Sequence, residues 1–190
     1  MTPELKNIYA PFSDLSLTKA ENALYINFRN MEPHLVSCSD NFSADQKEEV
    51  LVLHEKGHPL GMVSVVIREN LHKATPPKSY ARLDLVIVSK PYRNLGVGRL
   101  LIVSALLFVL RTWEQKIYSI SCLAGHKTVE KFLQELLFQD HPRKEKNYWQ
   151  GTLNLEERSP QVLLEIYLKK AKACLQWTVY QLDKKENLCR

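Results

Sequence analysis

An α/β fold with a central, mostly antiparallel mixed sheet flanked by helices is predicted for this chain of 190 residues, on three observations. Between Glu49 and Val88 come three β-rich runs, the first two joined by a hairpin signal. The third run, Tyr80 to Val88, leads through the glycine turn Gly96-Val97-Gly98 into the apolar stretch Leu100 to Leu110. Beyond it, strand-like segments alternate with segments whose apolar residues recur at helical spacing. Helix, three strands, helix, strand, helix is the order of an α/β domain whose sheet mixes strand directions.

The first helix is expected over Leu17 to Met31: Thr18 and Glu21 fit a capping box, and Leu17, Leu24, Phe28 and Met31 share one face. Pro33 cannot continue it, and Pro33 to Gln46, rich in Ser, Asp and Asn, reads as loop with room for a short helix after Ser43. Glu49 to Glu55 and Leu60 to Glu69 are strands around the turn Lys56-Gly57-His58-Pro59. Leu71 to Ser79, with Pro76-Pro77, is a connection. In Tyr80 to Val88 the alternation puts Leu83, Leu85 and Ile87 on one face and Arg82, Asp84, Val86 and Val88 on the other.

A helix over Arg99 to Glu114 follows, then a short strand, Lys116 to Leu123. Val129, Phe132, Leu133, Leu136 and Leu137 mark a second amphipathic helix. Asn147 to Leu155 reads as a strand, and Ser159-Pro160 opens a helix with Val162, Leu163, Ile166 and Tyr167 on its apolar face. A strand over Leu175 to Leu182 and a charged tail close the chain. The expectation is a single domain over residues 1–190, with a cofactor core at about 49–138.

Composition narrows the class. Hydrophobic residues make up 45% and charged residues 25%, as in a soluble globular protein rather than a disordered chain. The net charge of +5 suits phosphorylated or acidic ligands, but no aromatic-basic repeat or zinc spacing accompanies it, and no nucleic-acid partner is expected. Cys38, Cys122, Cys174 and Cys189 form no C-x-x-C, which fits reduced thiols in a cytoplasmic protein. Met1 to Tyr9 lacks the apolar core of a secretory signal, so the Asn41-Phe42-Ser43 match to a glycosylation acceptor is chance. Leu100 to Leu110 is much shorter than the ~20 residues of a membrane span, and no membrane partner is expected. His54 and His58 straddle a hairpin with no further ligands in view, so no metal is expected.

The glycine turn carries the chemistry. A strand, a glycine turn and a helix start form an anion cradle, because the first helical N–H groups lack internal partners and the helix dipole favours negative charge. Arg93 and Arg99 flank it and could pair with phosphate. A Walker A loop would end in Gly-Lys-Ser/Thr, and here Gly98-Arg99-Leu100 stands instead. The Rossmann fingerprint needs a third small residue, where this chain has Leu101.

The arrangement resembles the GNAT-type N-acetyltransferases, whose hallmark is a strand ending in Val, a proline-aromatic-Arg turn, then Arg-x-x-Gly-x-Gly/Ala and a helix. Val88, Pro91, Tyr92, Arg93, Gly96 and Gly98 supply it in order. The proline lies one place later than usual, and Asn94 stands where a glycine is common. The order of elements from Leu17 to Phe138 agrees with that fold. The resemblance implies acetyl-CoA, or another acyl-CoA, as acyl donor. Backbone groups of Val86, Ile87 and Val88 would pair with the pantetheine arm as an added strand does. The amides of Asn94, Leu95, Gly96, Val97, Gly98 and Arg99 would hold the pyrophosphate. The strands Tyr80 to Val88 and Lys116 to Leu123 would splay apart to admit the thioester.

The resemblance also assigns chemistry. Asp84, four residues before Val88, stands where many relatives carry the acid that deprotonates the amine; its other reading is a strand carboxylate paired with Arg82. Relatives commonly begin the following helix with Asn and place a Tyr seven residues on, near the CoA sulfur. This chain has His126 and Leu133 at those places, and Leu137-Phe138 where Gly-Phe is usual. His126 is a candidate pantetheine contact, with a surface histidine at a helix start as its other reading. Leu133 cannot donate a proton, which leaves solvent, Tyr118, Tyr148 or Tyr167 to protonate the thiolate. The cysteines have no His or acid beside them in sequence, so a covalent acyl-enzyme is not expected. The expected activity is direct acetyl transfer to an amine of a small molecule, peptide or protein. A CoA-binding module without catalysis and a different phosphate-binding α/β domain are the other classes. Homodimerisation through the C-terminal strand stays open.

Overall fold

The computed structural model describes residue 9 and residues 15–19, 46–70, 78–113, 117–140 and 149–188. Its strands form one seven-stranded sheet in the order β1-β2-β3-β4-β5-β7-β6. The strands are β1 (Leu15–Lys19), β2 (Gln46–Glu55), β3 (His58–Asn70), β4 (Lys78–Val88), β5 (Ile117–Ala124), β6 (Gln139–Asp140) and β7 (Trp149–Asn154). Every pair is antiparallel except β4 with β5, so the sheet is mixed as expected. Three helices follow: α1 (Val97–Trp113), α2 (Lys127–Glu135) and α3 (Pro160–Leu188).

The hairpin between β2 and β3 turns on two residues, Lys56 and Gly57, with φ of 48° and 80°. Positive φ at both positions matches the twist of the flanking strands, so His58 and Pro59 fall on β3 rather than in the turn. At the start of the described chain the helix expectation fails. Leu15 and Leu17 are buried while Ser16, Thr18 and Lys19 are exposed, a period of two, and the segment pairs with β2. Thr18, expected as a helix cap, instead places Oγ1 3.0 Å from His54 Nε2. The rest of that expected helix, the Pro33–Gln46 loop up to residue 45, Tyr148, Cys38 and Cys189 lie outside the described residues.

One irregularity corrects the face assignment of β4. Ser64 opposes Leu85 and Val65 opposes Leu83, which leaves Asp84 as the extra residue of a β-bulge. A bulge resets the alternation. Leu83, Val86 and Val88 therefore join the main core, whereas Leu85 and Ile87 pack with Val50, Val52 and Met62 in a second cluster. Leu83 does not share a face with Leu85 and Ile87.

α1 is the centre of the main core. Every residue from Leu100 to Leu110 is buried, which explains why the stretch is apolar on all sides. It packs on β2, β3 and β4 beneath and on α3 above. Tyr9 closes another side, its hydroxyl 2.8 Å from Ser104 Oγ, and both groups are buried. α3 runs unbroken from Pro160 to Leu188, so the strand expected over Leu175 to Leu182 is a helix. Leu175, Thr178 and Leu182 are buried while Gln176, Trp177 and Tyr180 are exposed, the spacing of a helix stripe. The Trp-Thr-Val-Tyr run has strand-like composition, but packing against α1 overrides it. With it goes the strand through which a homodimer was envisaged. No helix among the described residues is long and apolar enough to cross a membrane.

Buried acidic protons give this core a pH dependence. Burial pushes the Cys122 thiol from 9.0 up to about 12 and raises the Tyr9 and Tyr167 hydroxyls as well. The folded thiol keeps its proton over a range in which the unfolded thiol loses it. This stabilisation is complete below about pH 9 and is lost as pH rises toward about 12. Urea midpoints are expected to fall progressively between pH 8.5 and 11, and a flat profile would contradict the burial of these groups.

Candidate active site

The site is built where β4 and β5 part. Parallel pairing ends at Leu83 opposite Cys122, while β4 continues to Val88. β5 carries on to Ala124 against β7 alone, through the pairs Leu123–Gln150 and Ala124–Trp149. On its β5 side the stretch from Asp84 to Val88 therefore has no strand partner among the described residues, and Val86, Ile87 and Val88 lie on that open edge. Cys122 sits at the vertex, buried, with its thiol donating to the Gly151 carbonyl at 3.8 Å. Burial keeps that thiol protonated near neutral pH, which removes it as a nucleophile.

Asp84 stands at the same vertex, on the bulge. Its Oδ1 is ion-paired with an Arg82 guanidinium nitrogen, and the Asp84 side chain is 9% exposed. Both sequence readings of Asp84 are thus compatible with its position: it is paired with Arg82, and it is the first residue past the last β4–β5 pair. Arg82 Nε is buried without a hydrogen-bond partner among the described residues.

At the end of β4 the backbone is tied down before it turns. Ser89 N–H donates to the Leu60 carbonyl at 2.9 Å, and a single 3-10 turn follows over Lys90–Tyr92. Arg93, expected on phosphate, donates from Nε to the Val88 carbonyl at 3.0 Å and so braces the turn against the strand. Asn94 takes a φ of 65° and Gly96 a φ of 91°. Asn tolerates that region, which is why it can stand where relatives use glycine. The first α1 bond runs from Leu100 N–H to the Gly96 carbonyl at 3.1 Å. The amides of Val97, Gly98 and Arg99 come before it and have no helical carbonyl four residues back. Leu95 packs against the main core, and Arg99 lies 5.3 Å from the Phe132 ring on α2.

The two glycines differ in what they serve. A Cβ on Gly96 would fall 2.8 Å from Thr178 Oγ1 and 2.8 Å from Trp177 Cδ1, both on α3. A Cβ on Gly98 would meet only Val88 Cγ2, at an ordinary 3.6 Å. Gly98→Ala is therefore expected to stabilise the fold by about 0.4–1 kcal/mol through the unfolded chain. A fall in the melting temperature would show that the helix start is tighter than it looks.

His126 caps α2 with extended backbone and an exposed side chain. Its carbonyl accepts from the amides of Val129 and Glu130, each at 3.0 Å. Because β4 and β5 are parallel, this helix start lies at the same end of the sheet as the glycine turn. Of the alternative proton donors, Tyr167 is fully buried with its hydroxyl donating to the Leu136 carbonyl at 2.8 Å. Tyr118 packs edge-on to Tyr80 where β4 and β5 are still paired. Neither stands at the opening. Among the described residues no group of His, Cys, Asp or Glu could hold a metal ion.

A model of the acetyltransferase (GNAT) family matches residues 15–138. The chain belongs to that family. Acyl-CoA-dependent acetyl transfer is accordingly its class of reaction, and the parted strands and glycine turn are the GNAT features of its sheet. Solved structures share the fold at low identity. A mutant AtaT toxin bound to the C-terminus of the antitoxin AtaR and acetyl-CoA is 14% identical, covering 80% of this chain and 99% of that one at a TM-score of 0.53. Escherichia coli ElaA is 11% identical, covering 73% and 98% at 0.53. An acyl-CoA N-acyltransferase from Pseudomonas aeruginosa is 14% identical, covering 73% and 98% at 0.51. Leu133, where the resemblance led to an expected tyrosine, is 1% exposed and part of the core.

Sequence reasoning missed the part that α3 plays. Trp177 and Thr178 meet the glycine turn, and Lys185 donates to the Pro91 carbonyl at 2.7 Å while lying 4.2 Å from the Tyr92 ring. The spacing of Leu175, Thr178 and Leu182 was the available signal, obscured by the β-rich composition around it.

Proposed function

We propose that the protein transfers an acetyl group from acetyl-CoA to a primary amine by direct attack, with Asp84 as general base. The carrying observation is that β4 and β5 part at Leu83–Cys122, with Asp84 on the bulge at that point and the glycine turn at the end of the same strand. The free β4 edge at Val86 to Val88 suits the pantetheine arm, and the amides from Asn94 to Arg99 suit the pyrophosphate. His126, at the start of α2, is the residue on the β5 side of the same opening. The acetyl-CoA in the AtaT complex supports acetyl as the group transferred.

In the reaction the ammonium form of the acceptor gives a proton to the Asp84 carboxylate, directly or through water. The neutral amine attacks the thioester carbonyl, the C–N bond forms, the C–S bond breaks, the nitrogen gives its second proton to water and CoA departs as thiolate. With leucine at position 133, water supplies the thiolate proton, which a thiol of pKa ~8.5 allows. The buried Cys122 takes no part, and on the direct route no acetyl group passes through the enzyme.

Two measurements test this. Acetyl-CoA and CoA are expected to raise the melting temperature, whereas ATP and NAD at equal concentration do so much less. Incubated with acetyl-CoA and no acceptor, the protein is expected to keep its mass, while free thiol appears once a suitable amine is added from a panel of amines and peptides. No shift with any CoA species would overturn the donor assignment, and an acetylated enzyme that passes its group to the amine would overturn direct attack.

A further inference from the structure

The far end of α3 lies beyond the residues that the family model matches, yet it rests on the glycine turn. Two large aromatics there face water: Trp177 is 53% exposed and Tyr180 is 59% exposed. Their ring centroids are 6.2 Å apart and the planes tilt by 41°. The edge of the Trp177 indole packs against Gly96, with Cδ1 2.8 Å and Nε1 3.5 Å from where a Cβ would stand. Next to it Thr178 is completely buried, its hydroxyl has no hydrogen-bond partner among the described residues, and it lies 2.8 Å from where the same Cβ would stand. A buried polar group without a partner among the described residues thus stands against the anion cradle.

The direction in which Trp177 projects follows from the helix. Trp177 lies at i+7 from Lys170, on the same stripe. Lys170 Nζ bonds Glu135 Oε2 at 2.8 Å, at the end of α2, so this stripe is the one turned toward α2. The start of α2 is at the same end of the sheet as the glycine turn. Trp177 therefore flanks the turn on its α2 side, and Lys185 fastens the helix end to Pro91 and Tyr92 just beyond.

We propose that Trp177, with Tyr180 beside it, is the stacking platform for the adenine ring of acyl-CoA. The inference rests on the acyl-CoA reading of the turn. A ligand whose diphosphate sits on that turn carries its purine on a ribose tether one sugar long, so the base comes to rest beside the cradle. A broad aromatic face next to a phosphate anchor offers the purine a partner that needs no hydrogen-bond complementarity. The segment past residue 138 thereby contributes to the donor site itself.

Binding of two donors to the whole protein decides the matter: acetyl-CoA, and S-acetyl-4′-phosphopantetheine, which lacks the adenosine end. Trp177→Ala is expected to weaken acetyl-CoA about tenfold, the size of one lost base–aromatic stack, and to leave S-acetyl-4′-phosphopantetheine unchanged. Trp177→Phe is expected to recover most of the acetyl-CoA affinity. Unchanged acetyl-CoA affinity in Trp177→Ala would overturn the proposal and leave the acyl-CoA reading intact. An equal loss for both donors would also overturn it, since the indole would then be holding the turn rather than the base. Wild-type protein that binds neither donor would overturn the acyl-CoA reading and the platform with it.

Discussion

Asp84→Asn is expected to lower the rate of acetyl transfer by about 10²–10⁴-fold, the range typical of a lost general base. The substitution keeps the size and shape of the side chain and removes its basicity. Its effect on acetyl-CoA affinity should be less than about twofold, because the donor is held by backbone groups of β4 and the glycine turn. Asparagine also keeps an oxygen toward Arg82, so the guanidinium is not left wholly unpaired beside the bulge. This separates the chemical role from the structural one. A carboxylate whose only task is to neutralise Arg82 would, when replaced, lower the melting temperature and leave kcat intact. A catalytic carboxylate would lower kcat at unchanged Kd. Equal turnover by Asp84→Asn would remove Asp84 from the mechanism.

How far these positions were legible from the sequence depends on the range of the interactions that fix them. The turn from Val88 to Arg99 was legible because its determinants are local: backbone permissiveness at Gly96, a proline at position 91 and a long apolar helix directly behind. The β2–β3 hairpin and β7 were legible on the same ground. Leu15–Lys19 was not, since Thr18 and Glu21 satisfy a helix-capping pattern and only pairing with Leu51–Glu55 selects the strand. The bulge at Asp84 was hidden as well. No residue type marks it, and it follows from the register between Ser64 and Leu85, set by a strand distant in sequence. Its consequence is large, because it moves every later side chain of β4 to the other face. β6 has two residues and no pattern to read. The role of α3 at the glycine turn is a tertiary fact, carried by residues about eighty positions apart, and strand-like composition at Trp177 to Tyr180 argued against the helix that makes it possible.

Gly96→Ala is expected to be the most damaging small substitution in the turn, at about 2–6 kcal/mol. Two separate costs add. An L-residue at a φ of 91° is strained by about 1–3 kcal/mol, and the loss is local to the backbone. The added methyl group also falls 2.8 Å from both Thr178 Oγ1 and Trp177 Cδ1, where overpacking costs about 1–3 kcal/mol. For a chain of this size the sum corresponds to a drop of roughly 4–24 °C in melting temperature. The two parts can be separated, because only one of them runs through α3. In the Trp177→Ala background the indole is gone and part of the steric cost disappears, while the φ strain persists. A double-mutant cycle is therefore expected to show a positive coupling of about 0.5–2 kcal/mol between Gly96→Ala and Trp177→Ala. Strict additivity would mean that α3 does not press on the turn. The same cycle read in acetyl-CoA affinity tells a further thing. If Gly96→Ala pushes α3 away, the donor loses its aromatic face as well as its cradle, and the binding loss in the single mutant exceeds that of Trp177→Ala alone. The contrast with Gly98→Ala, two residues later and expected to stabilise, makes the test internal to the motif. Two glycines that look equivalent in the sequence would then respond with opposite signs, for reasons that lie in what each one faces.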